Sequence, residues 1–237
     1  HFCVQDPNLE ELVEKIVATP NQELASHTFS HYYCLDGSEN SKAIFTADCK
    51  ALVAAAQRFG VTPTSIIFPR NQTTPEALEA CREVGLKAYR GTESHFLYQA
   101  RNETSQTNPF IRAMRLLDHY FNLSGNHTYR INSNVNITIN SNIINLTASR
   151  FLRPYMSKLR WFEKLRLRRI KNAMTHAAQN GEVFHLWWHP HNFGTNRKEN
   201  FSNLLELLEH FSYLKETYQM ESKNMQELAT LANEQTE

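Results

Sequence analysis

The 237-residue sequence predicts an α/β domain built from parallel strand–helix units. Three observations carry that expectation. Short apolar β-type runs alternate with longer helical patterns through the first hundred residues, the order that βαβ connections impose. Glycines close amphipathic segments at Gly60, Gly85 and Gly181, where helices commonly end. The run Glu182 to Trp188 has an almost uninterrupted apolar interior, as strands buried on both faces do.

The elements follow in order. Leu9 to Val17 repeats apolar residues at helical spacing and stops at Pro20-Asn21, and Glu23 to Ser26 reads as a short buried strand. Ser41 to Phe59 is a long amphipathic helix, and Thr64 to Phe68 is a β-type run ended by Pro69. Thr74-Pro75-Glu76 starts a helix, with threonine at the cap and proline at the first helical position. It runs to about Val84, and Leu86 to Tyr89 is the next strand. Pro109 to Phe121 is a further helix. The asparagine-rich stretch Asn122 to Ser149 breaks the pattern and reads as an inserted surface element, with an edge strand or hairpin at Val135 to Ile139. Ser157 to Asn180 is a long basic helix, Glu182 to Trp188 a strand, and Arg197 to Tyr218 and Ser222 to Leu231 are helices. The whole reads as one domain over 1–237.

Composition narrows the classes. Hydrophobic residues make up 41% and charged residues 21%, and the formal net charge is +1, so the whole-protein field gives no reason to expect nucleic acid or an anionic membrane as a partner, the local basic run Lys158 to Lys171 being the exception. No stretch approaches the roughly 20 apolar residues of a membrane span. The chain begins with His1, and Phe2-Cys3-Val4 reads like the interior of a protein, so a fragment or processed product is expected. Four sparse cysteines (Cys3, Cys34, Cys49, Cys81) read as reduced thiols, and the seven Asn-x-Ser/Thr sequons as chance matches. A cytoplasmic protein is expected on those grounds.

The chemistry-bearing residues lie where predicted strands end. His27-Thr28-Phe29-Ser30-His31 places two imidazoles four positions apart, able to share one metal ion. Thr-Phe-Ser is poor helix sequence, so the pair is expected on a loop; two locally hydrogen-bonded histidines are the alternative. Arg70, just past the next strand, is suited to orienting a carboxylate or a substrate, or else caps a turn. His189 ends the last strand, backed by Leu186, Trp187 and Trp188, and can deliver a proton to a leaving group. Core packing is the plainer role for the tryptophans, of which alternation lets only one face a site. Together these features are expected on one rim, as in βα architectures.

The motif His27-Thr28-Phe29-Ser30-His31 resembles the metal-binding His-Ser/Thr-x-x-His motif of the polysaccharide deacetylases, carbohydrate esterase family four. Leu186-Trp187-Trp188-His189 resembles that family's closing Leu-x-Leu-His motif, and Phe68-Pro69-Arg70 its arginine-bearing motif. The strings Ala25 to Cys34, Ile67 to Gln72 and Ser149 to Pro154 look like a bacterial branch associated with surface polysaccharides. The resemblance implies an irregular (β/α) barrel lacking its first strand, with the insertion at about 122–149 and C-terminal helices over 197–231. It also implies metal-dependent hydrolysis of a non-peptide C–N amide bond, with an N-acetylated sugar or polysaccharide as substrate. His27 and His31 would ligate a divalent metal, most often zinc. His189 would be the general acid, Leu186 and Trp188 would form the acetyl pocket, and Arg70 would line the groove.

The sequence departs from the family at one place. The Thr-Phe-Asp-Asp motif that supplies the base and third ligand is not matched before His27: Asp6 sits in Gln5-Asp6-Pro7 with no apolar strand ahead of it. A two-histidine site without that carboxylate is expected to bind metal poorly and, without the base, to lose its hydrolytic rate, so the chain reads either as truncated from an active enzyme or as a degenerate relative. Asp118 and Asp36 are candidates for the family's fourth motif. A cyclic ureide in place of the sugar, or a non-catalytic carbohydrate-binding relative, are the competing expectations. The run Lys158 to Lys171 reads either as a surface for an anionic membrane or nucleotide-linked sugar, or as a solvated helix with its apolar stripe inward. Arg150 and Arg153 read either as anion contacts or as buttresses of the insertion.

Overall fold

The structure, a computed structural model, describes residues 7–35, 41–98, 108–131, 137–138 and 143–234. In chain order its elements are α1 (Pro7–Ala18), α2 (Ser41–Gln57), β1 (Ser65–Ile66), α3 (Pro75–Glu83), β2 (Ala88–Gly91) and α4 (Pro109–Asp118). They continue with β3 (Ile137–Thr138), β4 (Ile143–Thr147), β5 (Arg150–Phe151), α5 (Glu163–Asn180), β6 (Leu186–Trp187), α6 (Arg197–Tyr218) and α7 (Met225–Glu234). Three 3-10 turns, Pro69–Asn71, Ser157–Phe162 and Pro190–Phe193, punctuate them. Contacts divide the described residues into two compact units. One draws on His1–Gly91, Ile131–Leu146 and Lys223–Glu237, the other on Thr92–Arg130 and Thr147–Ser222.

In the first unit β1 and β2 pair in parallel, Ser65 beside Ala88 and Ile66 beside Tyr89. The strand expected at Glu23 to Ser26 shrinks to a single parallel bridge between Ser26 and Ile66. Two backbone hydrogen bonds of 2.8 Å close it, from Ser26 N–H to Ser65 O and from Ile67 N–H to Ser26 O. Thr74 caps α3 by accepting from the Ala77 amide at 3.2 Å. Pro75 follows where a missing N–H costs nothing. The expected mixed α/β class with parallel strands is present, and no closed barrel is seen among the described residues.

The asparagine-rich stretch contributes more than a surface element. β3 and β4 pair antiparallel, and the sheet runs in the order β1–β2–β4–β3. Ile143, Ile144 and Leu146 are buried, and α7 lays Ala229 and Ala232 against Ala88, Ile144 and Leu146. Gly91 allows the close approach of β4, because a Cβ there would collide with the Asn145 side chain. The rest of this unit's core runs through Phe45, Phe68 and Tyr89, in ring contact, and the buried free thiols Cys34, Cys49 and Cys81. Burial pushes the Cys34 thiol up to about 12, which makes it an inert packing group.

The second unit packs α5 and α6 around Leu152, Leu167, Ile170, Met174, Leu207 and Leu214. The strand expected over Glu182 to Trp188 is shorter and less central than its apolar sequence suggests. Leu186–Trp187 pairs in parallel with β5 in a sheet of two strands, and both residues stay half-buried. The basic helix also differs from a uniformly solvated one. Arg166 and Arg169 are buried, Arg166 donating to Glu163 at 2.6 Å and Arg169 to Asp118 at 3.1 Å.

Asp118 organises this unit. Its Oδ1 accepts from the amides of Leu123 (2.9 Å) and Ser124 (2.8 Å) and from Arg169. Its Oδ2 accepts from Tyr98 Oη (2.6 Å), Ser124 Oγ (2.7 Å) and Arg150 Nη1 (2.9 Å). Burial alone would raise its pKa, but Tyr98, Ser124 and the two guanidiniums outweigh burial and hold the carboxyl well below the usual range. Arg150 thus buttresses rather than reaching outward. With the Ser124 hydroxyl proton given to Asp118, His127 Nε2–H is left to donate to Ser124 Oγ at 2.7 Å.

Two histidines near this centre make the fold acid-sensitive. Burial, aided by Arg153, pushes His119 down to about 3; burial, aided by Arg150, pushes His127 down to about 4. In the unfolded chain both titrate near 6.5. Below that pH the unfolded state takes up protons that the native state refuses, so stability is full above about 6.5 and falls as pH drops toward 4. Urea titrations between pH 7 and 4 are expected to show a steadily falling midpoint, with a shallower fall in His119→Phe. A midpoint constant across that range would contradict it.

Candidate metal centre

His27 and His31 lie on the loop that leaves the Ser26 bridge, and that loop is not helical. Thr28 and His31 adopt left-handed backbone conformations, with φ of 61° and 59°. A β-branched residue such as Thr28 rarely does so, and each position costs on the order of 1–3 kcal/mol. The surroundings impose the shape. Asp48, on α2, accepts from the Phe29 amide at 2.7 Å, the Ser30 amide at 2.8 Å and Ser30 Oγ at 2.5 Å. Thr28 Oγ1 accepts from the Tyr32 amide at 3.0 Å, and Ser26 Oγ from the Thr28 amide at 3.2 Å. Asp48→Ala orphans two amides, so it is expected to cost about 1–3 kcal/mol in chemical denaturation. Asp48→Asn, which keeps an acceptor, should lose less.

The clamp brings the two imidazoles together, with ring centroids 5.1 Å apart and planes at 74°. His27 Nδ1 lies 2.6 Å from the Ile67 carbonyl. A carbonyl only accepts, so Nδ1 carries the proton and Nε2 keeps its lone pair. Desolvation lowers the pKa of His27; the bond to Ile67 works against that, while His31 and Arg90 add to it. A neutral imidazole with its tautomer fixed by a backbone carbonyl is the form in which histidine binds divalent metal. The residues present therefore fit two ligands of a zinc-type ion. Among the described residues no group of three or more His, Cys, Asp or Glu side chains is arranged to hold one. Asp6 and Asp36 lie outside the described residues.

Tyr33 extends the cluster. Its ring lies 5.2 Å from that of His31, and the Arg70 guanidinium sits 4.1 Å above the Tyr33 ring centroid. Arg70 and Asn71 are also left-handed, both with φ of 53°, in the 3-10 turn after β1. Arg90 Nη2, at the end of β2, donates to Asn71 Oδ1 at 2.9 Å. His27, His31 and Arg70, named from sequence, are thus brought together with Tyr33 in the first unit. Asp48, Tyr33 and Arg90 were not anticipated. An arginine at the end of the apolar run Leu86 to Tyr89 was a readable signal for Arg90, whereas nothing local marks Asp48.

Leu186, Trp188 and His189 belong to the second unit. Phe151, Trp187 and His189 form a mutual ring cluster, with centroid separations of 4.5 Å (Phe151–Trp187), 5.4 Å (Trp187–His189) and 5.8 Å (Phe151–His189). His189 and His191 stack at 5.1 Å. Strand alternation separates the tryptophans as expected: Trp187 joins that cluster, while Trp188 is 38% exposed and faces Phe193 at 6.3 Å.

No protein-family profile matches the chain, and no curated protein does. Among solved structures, the 4-alpha-glucanotransferase from Thermococcus litoralis matches at 12% identity with a TM-score of 0.48, over 95% of this chain. This chain spans 31% of that protein's length. A likeness at that level carries no argument about fold or activity.

Proposed function

We propose that this protein is a metal-dependent hydrolase of non-peptide C–N amide bonds, a polysaccharide deacetylase acting on an N-acetylated sugar of envelope polysaccharide. In this reading its fold is that family's irregular (β/α) barrel. The observation that supports it most is the His27–His31 pair on a strained, clamped loop, with the tautomer of His27 fixed by Ile67 O. When bound, a divalent ion, most simply zinc, polarises the amide carbonyl and acidifies a water. His27, through its Nε2, and His31 would hold that ion. Arg70, steadied on Tyr33, orients an anionic or hydroxyl group of the substrate. By the family resemblance, Leu186 and Trp188 would receive the acetyl methyl and His189 would protonate the departing amine.

The protein is tested with zinc on a panel of N-acetylated sugars and cyclic ureides, reading acetate release and mass change. Acetate release that His189→Ala lowers by about 10²–10⁴-fold, with metal content unchanged, is the expected result. Wild-type turnover by His189→Ala removes the proposed acid. Turnover of ureides alone reassigns the substrate, and sugar binding without metal or turnover favours a non-catalytic protein.

A further inference from the structure

We propose that Lys158–Arg168 is a peripheral docking surface for anionic lipid bilayers. Among the described residues Trp161 is the most exposed large hydrophobic side chain, at 79%, and Phe162 beside it is 48% exposed. Two adjacent rings this open to water form an apolar patch that a partner can cover. Phe162 lies edge-on to the Tyr120 ring at 5.8 Å. Four exposed cations, Lys158, Arg160, Lys164 and Arg168, flank the two aromatics along the sequence. Arg160 stands 4.8 Å from the Trp161 ring centroid. Trp161 and Phe162 close the 3-10 turn, and Lys164 and Arg168 follow at i and i+4 on α5, the spacing of one helix face.

The exposed charged side chains of Lys158–Arg168 are all cationic. Arg166 and Arg169 turn inward, and the segment's one carboxylate, Glu163, is buried against Arg166. Glu206, on α6, is tied to Lys171 at 2.6 Å. A bilayer with acidic headgroups meets both halves of the patch. The cations lie among phosphates and carboxylates, and the indole and phenyl rings enter the boundary with the acyl chains. A dissolved polyanion would satisfy only the cations. No helix among the described residues is long and apolar enough to cross a membrane.

Co-sedimentation of the full chain with sucrose-loaded vesicles tests this, comparing pure phosphatidylcholine with phosphatidylcholine containing phosphatidylglycerol. Binding is expected only to the anionic vesicles and is expected to weaken with salt. The triple variant Lys158→Glu, Lys164→Glu, Arg168→Glu should lose roughly a hundredfold in partitioning, and Trp161→Ala about tenfold. These positions are exposed, so unchanged circular dichroism and melting are expected of both variants. The proposal is overturned if the chain ignores anionic vesicles or if the triple variant binds as the parent does. It is also overturned, in favour of an acidic polymer, if Trp161→Ala binds undiminished and dextran sulfate displaces the chain from vesicles.

Discussion

Replacing His31 with alanine is expected to abolish zinc binding at the proposed centre and to lower the proposed amide hydrolysis by at least about a hundredfold, because a single imidazole is left for the ion. His27→Ala should do the same. His27→Asn is the more informative change. Asparagine can still donate to the Ile67 carbonyl, so the loop keeps its 2.6 Å tether in kind, but the Nε2 lone pair is gone. Loss of metal in His27→Asn with unchanged melting assigns ligation to that nitrogen. Elemental analysis and a chelator competition read the outcome, and a double alanine variant that retains full zinc content would refute the centre.

Asp118→Ala is expected to be the most destabilising single change in the second unit. The carboxylate is fully buried and balances Arg150 and Arg169 directly. Removing one partner of a buried ion pair costs about 3–5 kcal/mol, because the surviving charge is left without compensation. Here two guanidiniums are stranded, and the amides of Leu123 and Ser124 lose their acceptor. At roughly 2–4 °C per kcal/mol for a chain of this size, melting should fall by roughly 10 °C. Asp118→Asn keeps the shape and part of the hydrogen bonding but removes the charge, and should recover only a minor share. A loss below about 1 kcal/mol in either variant would show that Arg150 and Arg169 reach other counter-charges.

What the sequence disclosed and what it hid divide along physical lines. Local rules read well: Thr74-Pro75 starts a helix with the expected cap, and Gly181 ends α5 in the left-handed conformation. The loop placement of His27 and His31 was legible because Thr-Phe-Ser disfavours helix. The clamp on that loop was not, since Asp48 is a lone carboxylate in an amphipathic helix and acts across 18 to 19 positions. Arg166 and Arg169 looked like members of a solvated charge run because periodicity cannot show that Glu163 and Asp118 wait beneath them. β4 was hidden for a related reason. Asparagines on either side masked Ile143, Ile144 and Leu146, whose burial depends on β2 and on α7, which lies far along the chain.

The interleaving of the two units governs how the molecule is made. The chain crosses between them at Gly91–Thr92, Arg130–Ile131, Leu146–Thr147 and Ser222–Lys223. During synthesis β2 leaves the ribosome long before the hairpin that pairs beside it, and longer still before α7 covers Ala88 with Ala229 and Ala232. The nascent first unit therefore waits with an apolar sheet face uncovered while the second is translated, an interval in which a holdase chaperone has something to bind.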